Sequence, residues 1–209
     1  MRRANRIQTL MTCTITLLAS NGLYAQERNQ EYRNAAGDLH FGKIDGGGVY
    51  RFTGVARNVT IEEINGRTTV DMCGLKAENI TIGVLNGASC VRFKVKRDFT
   101  ISKEVNGRSW LAGEAGRNIT IGDQIDGRSR AKLKAGGTLR IGNKIDGGPC
   151  TAVLYEATES IIPHINGRCK VDRRAIAEKD VCNLQTYPFD FRCLPPDDVA
   201  DYPTPPLPE

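Results

Sequence analysis

Histidine and tryptophan are nearly missing from this chain of 209 residues: His40, His164 and Trp110 are the whole complement. No Cys-x-x-Cys pair occurs either. Without these residues the usual Cys/His ligand sets for zinc cannot be assembled, and no metal or other cofactor is predicted. Long apolar runs are also lacking. Beyond residue 25 no stretch reaches the ~20 residues that cross a bilayer, so no membrane span is predicted. A strong excess of one charge is missing too. The chain has 29 basic and 24 acidic residues, but three of the Arg fall in residues 1–25 with no acid, leaving 26 against 24. A nucleic-acid partner needs a clustered basic face, and this balance does not supply one.

The first 25 residues explain the missing charge. Arg2, Arg3 and Arg6 precede a modestly apolar run, and small residues lead to Ala25. This is the layout of a secretory signal peptide cut after Ala25, with Leu23 at the third position before the cut. Cys13 lacks the small-residue setting of a lipoprotein box, so no lipid anchor is predicted. The expected location is secreted, periplasmic or cell-surface. Past the cut, six cysteines remain: Cys73, Cys90, Cys150, Cys169, Cys182 and Cys193. An even number in an exported chain predicts disulfides.

What the sequence does have is a repeat. An apolar residue followed by Asn or Asp and then Gly begins at Ile44, Ile64, Leu85, Val105, Ile125, Ile145 and Ile165, with spacings of 20, 21, 20, 20, 20 and 20. Before each turn stands an apolar-polar-apolar triplet, as in Val59-Thr60-Ile61, Ile80-Thr81-Ile82 and Ile119-Thr120-Ile121. After it comes another alternating segment, as in Tyr50-Arg51-Phe52 and Val70-Asp71-Met72. Period-2 alternation is the signature of strands with one buried face. Helix-pair repeats of about 33–47 residues are too long for this period, and the leucine-rich consensus is absent. A 20-residue unit buries its apolar side only by stacking on its neighbours at about 4.8 Å. The predicted fold is all-β, a single-stranded parallel β-helix of about seven coils, roughly 34 Å long.

The boundaries read as signal peptide 1–25, flexible polar segment 26–36, β-solenoid 37–172, disulfide-bonded C-terminal cap 173–193 and Pro-rich disordered tail 194–209. Repeat length and apolar pattern over residues 37–172 resemble parallel β-helix proteins of the broad bactofilin-like or adhesin-like kind. Glu159 falls where an apolar residue is expected and Pro163 interrupts a strand, so the register of the last coil is open. Rung geometry suggests disulfides Cys150–Cys169 and Cys73–Cys90 between adjacent coils, and Cys182–Cys193 within the cap.

Several short motifs fall into the repeat. Asn65-Gly66-Arg67, Asn106-Gly107-Arg108, Asp126-Gly127-Arg128 and Asn166-Gly167-Arg168 recur because the turn recurs; Asn and Asp tolerate the positive φ that such corners need. A cation held by Asp126 and Asp146 is opposed by the neighbouring Arg128 and Lys144. The sequons at Asn58, Asn79 and Asn118 share one phase at the start of a strand. Thr60, Thr81, Thr100 and Thr120 should form one outward rank, with Ser160 further along. A single rank broken by Arg140 does not match the paired ranks of ice-binding faces.

No clustered carboxylates of the kind that a polysaccharide lyase or hydrolase requires are visible, and no long insertions offer the walls of a cleft. The chain is therefore expected to be an exported structural or adhesive β-solenoid, able to contact cell-surface or matrix polysaccharide or other envelope components and to self-associate. Candidate contacts are Arg67, Arg108, Arg128, Trp110 and the Thr60, Thr81, Thr100, Thr120 rank. The alternative is a carbohydrate-active β-helix enzyme. No catalytic residue is assigned.

Overall fold

The computed structural model describes residues 27–32, 37–148 and 151–182. The expected signal peptide, the expected tail, Cys150 and Cys193 lie outside them. In chain order the elements are β1 (Glu27–Tyr32), β2 (Leu39–Ile44), β3 (Gly48–Ile64), β4 (Thr68–Leu85), β5 (Cys90–Ile101), β6 (Trp110–Ala115), β7 (Ile119–Ile121), β8 (Gln124–Ile125), β9 (Arg130–Ile141), β10 (Lys144–Ile145), β11 (Ala152–Ile161), β12 (Lys170–Arg173) and the single helical turn α1 (Glu178–Val181). Every strand pairing is parallel and joins neighbouring coils. The protein is a parallel β-solenoid of about seven turns.

Three legs make each coil. Along the first, the ladder runs β1-β3-β4-β5-β6-β9-β11-β12. Along the second, Leu39, Val59, Ile80, Phe99, Ile119 and Leu139 stack in register. Along the third, Ile44, Ile64, Leu85, Val105, Ile125, Ile145 and Ile165 form one continuous row, the seven residues that define the repeat. β5, β9 and β11 are long because each bends around a corner and serves two legs, and β3 and β4 are longer still because each turns two corners and serves all three. The buried core is the inward half of these alternations. Within it Phe93 stacks on Phe99 with ring centroids 3.6 Å apart. Gly113 occupies the next coil above Phe93, where a β-carbon would lie 2.5 Å from that ring. Two aromatics fit because one neighbour has no side chain.

Both ends depart from the expected pattern. Glu27–Tyr32, read as a loose polar lead-in, instead pairs with Val49–Gly54 as β1. The edge of β3 offers unpaired backbone donors and acceptors, and these accept a strand whatever its side chains. In β11 the register slips between Ala157 and Glu159. Ser160 consequently sits opposite Leu139 rather than in the Thr rank, and Ile161 falls opposite Arg140, 39% exposed. Ile165, the last of its row, has no further coil above it among the described residues and is 49% exposed.

The disulfide pattern also differs. Cys73 bonds Cys182, with an S–S distance of 1.96 Å across 109 residues of sequence. The expected Cys73–Cys90 and Cys182–Cys193 bonds therefore do not form. Register excludes the first: Cys90 pairs with Thr69, four residues and roughly 13 Å along the strand from Cys73. Cys90 is a buried free thiol, pushed up to about 12 by burial. Cys169 is also a free thiol, directed at the carbonyls of Asn166 and Gly147, and its expected partner Cys150 lies outside the described residues.

The disulfide-bonded C-terminal segment takes the form of a strap. Residues 174–182 cross the flank of the coils. The Arg174 N–H donates to Tyr155 O, and the Ile176 N–H donates to a Glu156 carboxylate oxygen at 2.5 Å. Lys134 donates to Ile176 O at 3.1 Å, Glu178 pairs with Lys94 at 2.7 Å, and Arg92 donates to Cys182 O at 3.2 Å. Beneath the strap, Ile176 and Val181 pack on Cys90, Ala112, Ala152 and Leu154 in a second apolar cluster.

Candidate functional site

The Asn/Asp-Gly corners are built by one repeated contact. The Gly66, Gly87 and Gly147 N–H groups each donate to the preceding Asn65, Asn86 or Asp146 side-chain oxygen at 2.7 Å, and Gly107 and Gly127 do the same with Asn106 and Asp126. These glycines hold φ between 73° and 129°, the left-handed region that costs a residue with a Cβ. The turns also stack: Ala88, Arg108 and Arg128 N–H groups donate to Gly66, Gly87 and Gly107 carbonyls at 2.6–2.7 Å. Asp146 additionally accepts from Lys144 at 2.7 Å, and that bond first, then the Gly147 N–H, holds its carboxyl below the usual range. The Asp126 and Asp146 carboxylates are thus committed to the turn. Among the described residues no group of three or more His, Cys, Asp or Glu is arranged to hold a metal.

A second outward row is equally occupied. Asn58 donates to Asp38 at 2.9 Å, Asn79 to Asn58 at 2.8 Å, and Asn118 to Asp98 at 2.9 Å; the Thr138 N–H then donates to Asn118. The three sequon asparagines use their amides to join one coil to the next. Thr60, Thr81, Thr100 and Thr120 stand opposite one another on consecutive coils, half-exposed, with Arg140 next in line.

Of the other candidate contacts, the structure brings Arg108 and Arg128 together on successive turns. Arg67 is separated from them by Ala88, which takes the same place in the intervening turn. Trp110 is half-buried. The Arg130 guanidinium lies 5.2 Å from its ring, and the strap cluster packs against it. The Thr rank lies on the second leg and the Arg positions lie at the corner before the first leg, so the two do not form one site.

The flank carries features that the residue patterns did not single out. Lys94, Glu114, Lys134 and Glu156 occupy one position on four successive coils, alternating in sign. Lys94 lies 3.6 Å from Glu114, and Lys134 lies 3.6 Å from Glu156. Arg92 pairs with Asp71 on the coil below. Lys132, only 2% exposed, lies between Ala112 and Leu154 in register. Burial lowers its pKa against the opposing charge of Asp180. The signal was present in the sequence: Ala112 and Leu154 occupy outward positions where the repeat otherwise places polar residues.

The site and fold together define a parallel β-solenoid with engaged outward rows and a strapped flank. No family model, curated protein or solved structure matches the chain. No helix among the described residues is long and apolar enough to cross a membrane.

Proposed function

We propose that this chain is an exported structural or adhesive rod, bactofilin-like or adhesin-like in its broad design, that contacts acidic polysaccharide of an envelope or matrix. The observation that carries this reading is the regularity of the outward rows. Corner, Asn and charge rows repeat from coil to coil, and their polar groups mostly satisfy one another. Such a surface serves shape and multiplicity. Arg108 and Arg128 on successive turns place two cations about 4.8 Å apart along the rod. Like charges at that spacing suit a polymer of repeating anions better than a single small ligand. Exposed charges of this kind act weakly and are screened by salt.

Retention on immobilised polygalacturonate at low salt is the test, with the double variant Arg108→Glu/Arg128→Glu beside the parent chain. Retention that falls at least about tenfold in the variant, and with rising salt, supports the reading. Equal retention of both proteins would remove it. Release of reducing ends from the polymer would assign the protein to the carbohydrate-active enzymes instead.

A further inference from the structure

The outward face of β9 carries three cations at alternate positions, Arg130, Lys132 and Lys134. Alternate residues of a strand share one side, roughly 7 Å apart. Lys134 is engaged with Glu156 and with Ile176 O. The other two are each 2% exposed, and among the described residues no other Asp, Glu, Lys or Arg is buried to this depth. Their neighbours on the adjoining coils are apolar. Trp110 and Ala152 stand in register with Arg130, and Ala112 and Leu154 with Lys132. Above them lies the strap, whose Ile176 and Val181 pack in the same cluster as Ala112, Ala152 and Leu154.

A buried cation is costly unless an anion and hydrogen-bond acceptors answer it. Asp180 on α1 supplies opposing charge to Lys132. No acid pairs with Arg130 among the described residues. Its guanidinium lies 5.2 Å from the Trp110 ring, and its Nη1 is buried with no hydrogen-bond partner. An aromatic face attracts the charge but offers no acceptor oxygen to the N–H groups. Guanidinium N–H groups are best met by the oxygens of an anion. Phosphate and sulfate carry such oxygens on every side, so one ion can reach both Arg130 and the Lys132 ammonium across the strand step between them. Either ion is small enough to lie beneath the strap, and the apolar surroundings strengthen its attraction to both cations. A polymer would have to displace the strap to enter.

We infer that Arg130 and Lys132 form a binding site for a small tetrahedral oxyanion, inorganic phosphate or sulfate, closed by the strap. Arg130 makes the principal contact through Nη1. Lys132 supports it from the side, sharing its charge with Asp180, and Trp110 is the wall beside Arg130. The site is independent of the Arg108 and Arg128 corner and stands whether or not that corner holds a polymer.

Trp110 is the chain's only tryptophan and lies against the site, so its emission reports on it. The full chain, dialysed exhaustively into chloride, is titrated with sodium phosphate and with sodium sulfate at constant ionic strength. A saturable change in emission is expected, with half-saturation at or below ~1 mM. Arg130→Met should weaken it at least about tenfold, and Lys103→Met, which removes an exposed cation, should leave it intact. No saturable response to either ion overturns the inference. So does a response that survives Arg130→Met, or one that Lys103→Met weakens equally. Should Arg130→Met fold poorly by circular dichroism, hydrogen exchange of the parent chain decides. Phosphate in place of chloride should slow exchange over residues 176–182 at least about threefold more than over Ile119–Ile121. Equal slowing in both places is the general effect of an excluded salt and sinks the proposal, as does no slowing at all.

Discussion

The middle coils and the strap solve the same problem, covering apolar surface, by opposite means. In the coils each residue meets its counterpart 18 to 22 positions away, and one contact is reused many times. The strap starts with contacts 19 and 20 positions back, but its later partners are 42, 84, 90 and 109 positions apart, and none of these repeats. A solenoid is held by nearest-neighbour contacts alone. The strap adds what such a stack lacks, a direct connection between coils that do not touch. Repetition therefore makes the rod, and the unrepeated segment ties its length together.

Four experiments would break or sharpen this contrast. The largest effect belongs to the coils. Phe99→Ala removes a fully buried ring from the Phe93 stack and should cost about 3–5 kcal/mol in urea unfolding. A loss below ~1 kcal/mol would mean that the interior there can collapse around the vacancy. Next comes the strap. Cys73→Ser should cost about 2–4 kcal/mol. Hydrogen exchange should rise over residues 176–182, while the ladder of Ile119–Ile121 with Leu139–Ile141 keeps its protection. Equal loss of protection in both places would erase the distinction between the two regions. Smaller again is Asn79→Ala, which breaks a single link in the asparagine row and should cost about 1 kcal/mol by thermal or urea unfolding.

The smallest effect concerns pH. Glu178 is held below the ordinary glutamate range, first by its hydrogen bond to Lys94 and then by the charge of Lys94. A depressed carboxyl stabilises the fold above its unfolded value and loses that contribution as pH falls through the folded one. Exchange over the strap should thus rise slightly as pH drops below the ordinary glutamate range, and Glu178→Gln should remove that dependence. Because Glu178 is well exposed, solvent screens most of the effect.

The same contrast explains what the sequence could reveal. The row from Ile44 to Ile165, the Asn/Asp-Gly corners and the Thr60–Thr120 rank were legible because a period turns one observation into seven. Adjacency of Arg108 and Arg128 followed from the same spacing. Features that occur once had no period to announce them. The Cys73–Cys182 bond depends on where an irregular segment runs, and composition cannot specify that path. The half-buried state of Trp110 depends on Arg130 and on the strap beside it. The slip in β11 was foreshadowed by Glu159, which does not belong at a core position, although its outcome at Ser160 and Ile161 was not. β1 was hidden for another reason. Backbone pairing at an open edge does not require apolar side chains, so its polar sequence masked a strand.

The bond between Cys73 and Cys182 also has a mechanical meaning. Pulled by its two ends, an ordinary solenoid would unravel coil by coil until the whole chain was straight. Here the force passes directly from residue 73 to residue 182 through sulfur, and the 109 residues of separation between them carry no load. At about 3.3–3.6 Å per residue, some 360–390 Å of chain is withheld from extension. A thiol reductant would open that hidden length to coil-by-coil extension, so the rod's maximum extension under load is set by a single covalent bond and by the redox state around it.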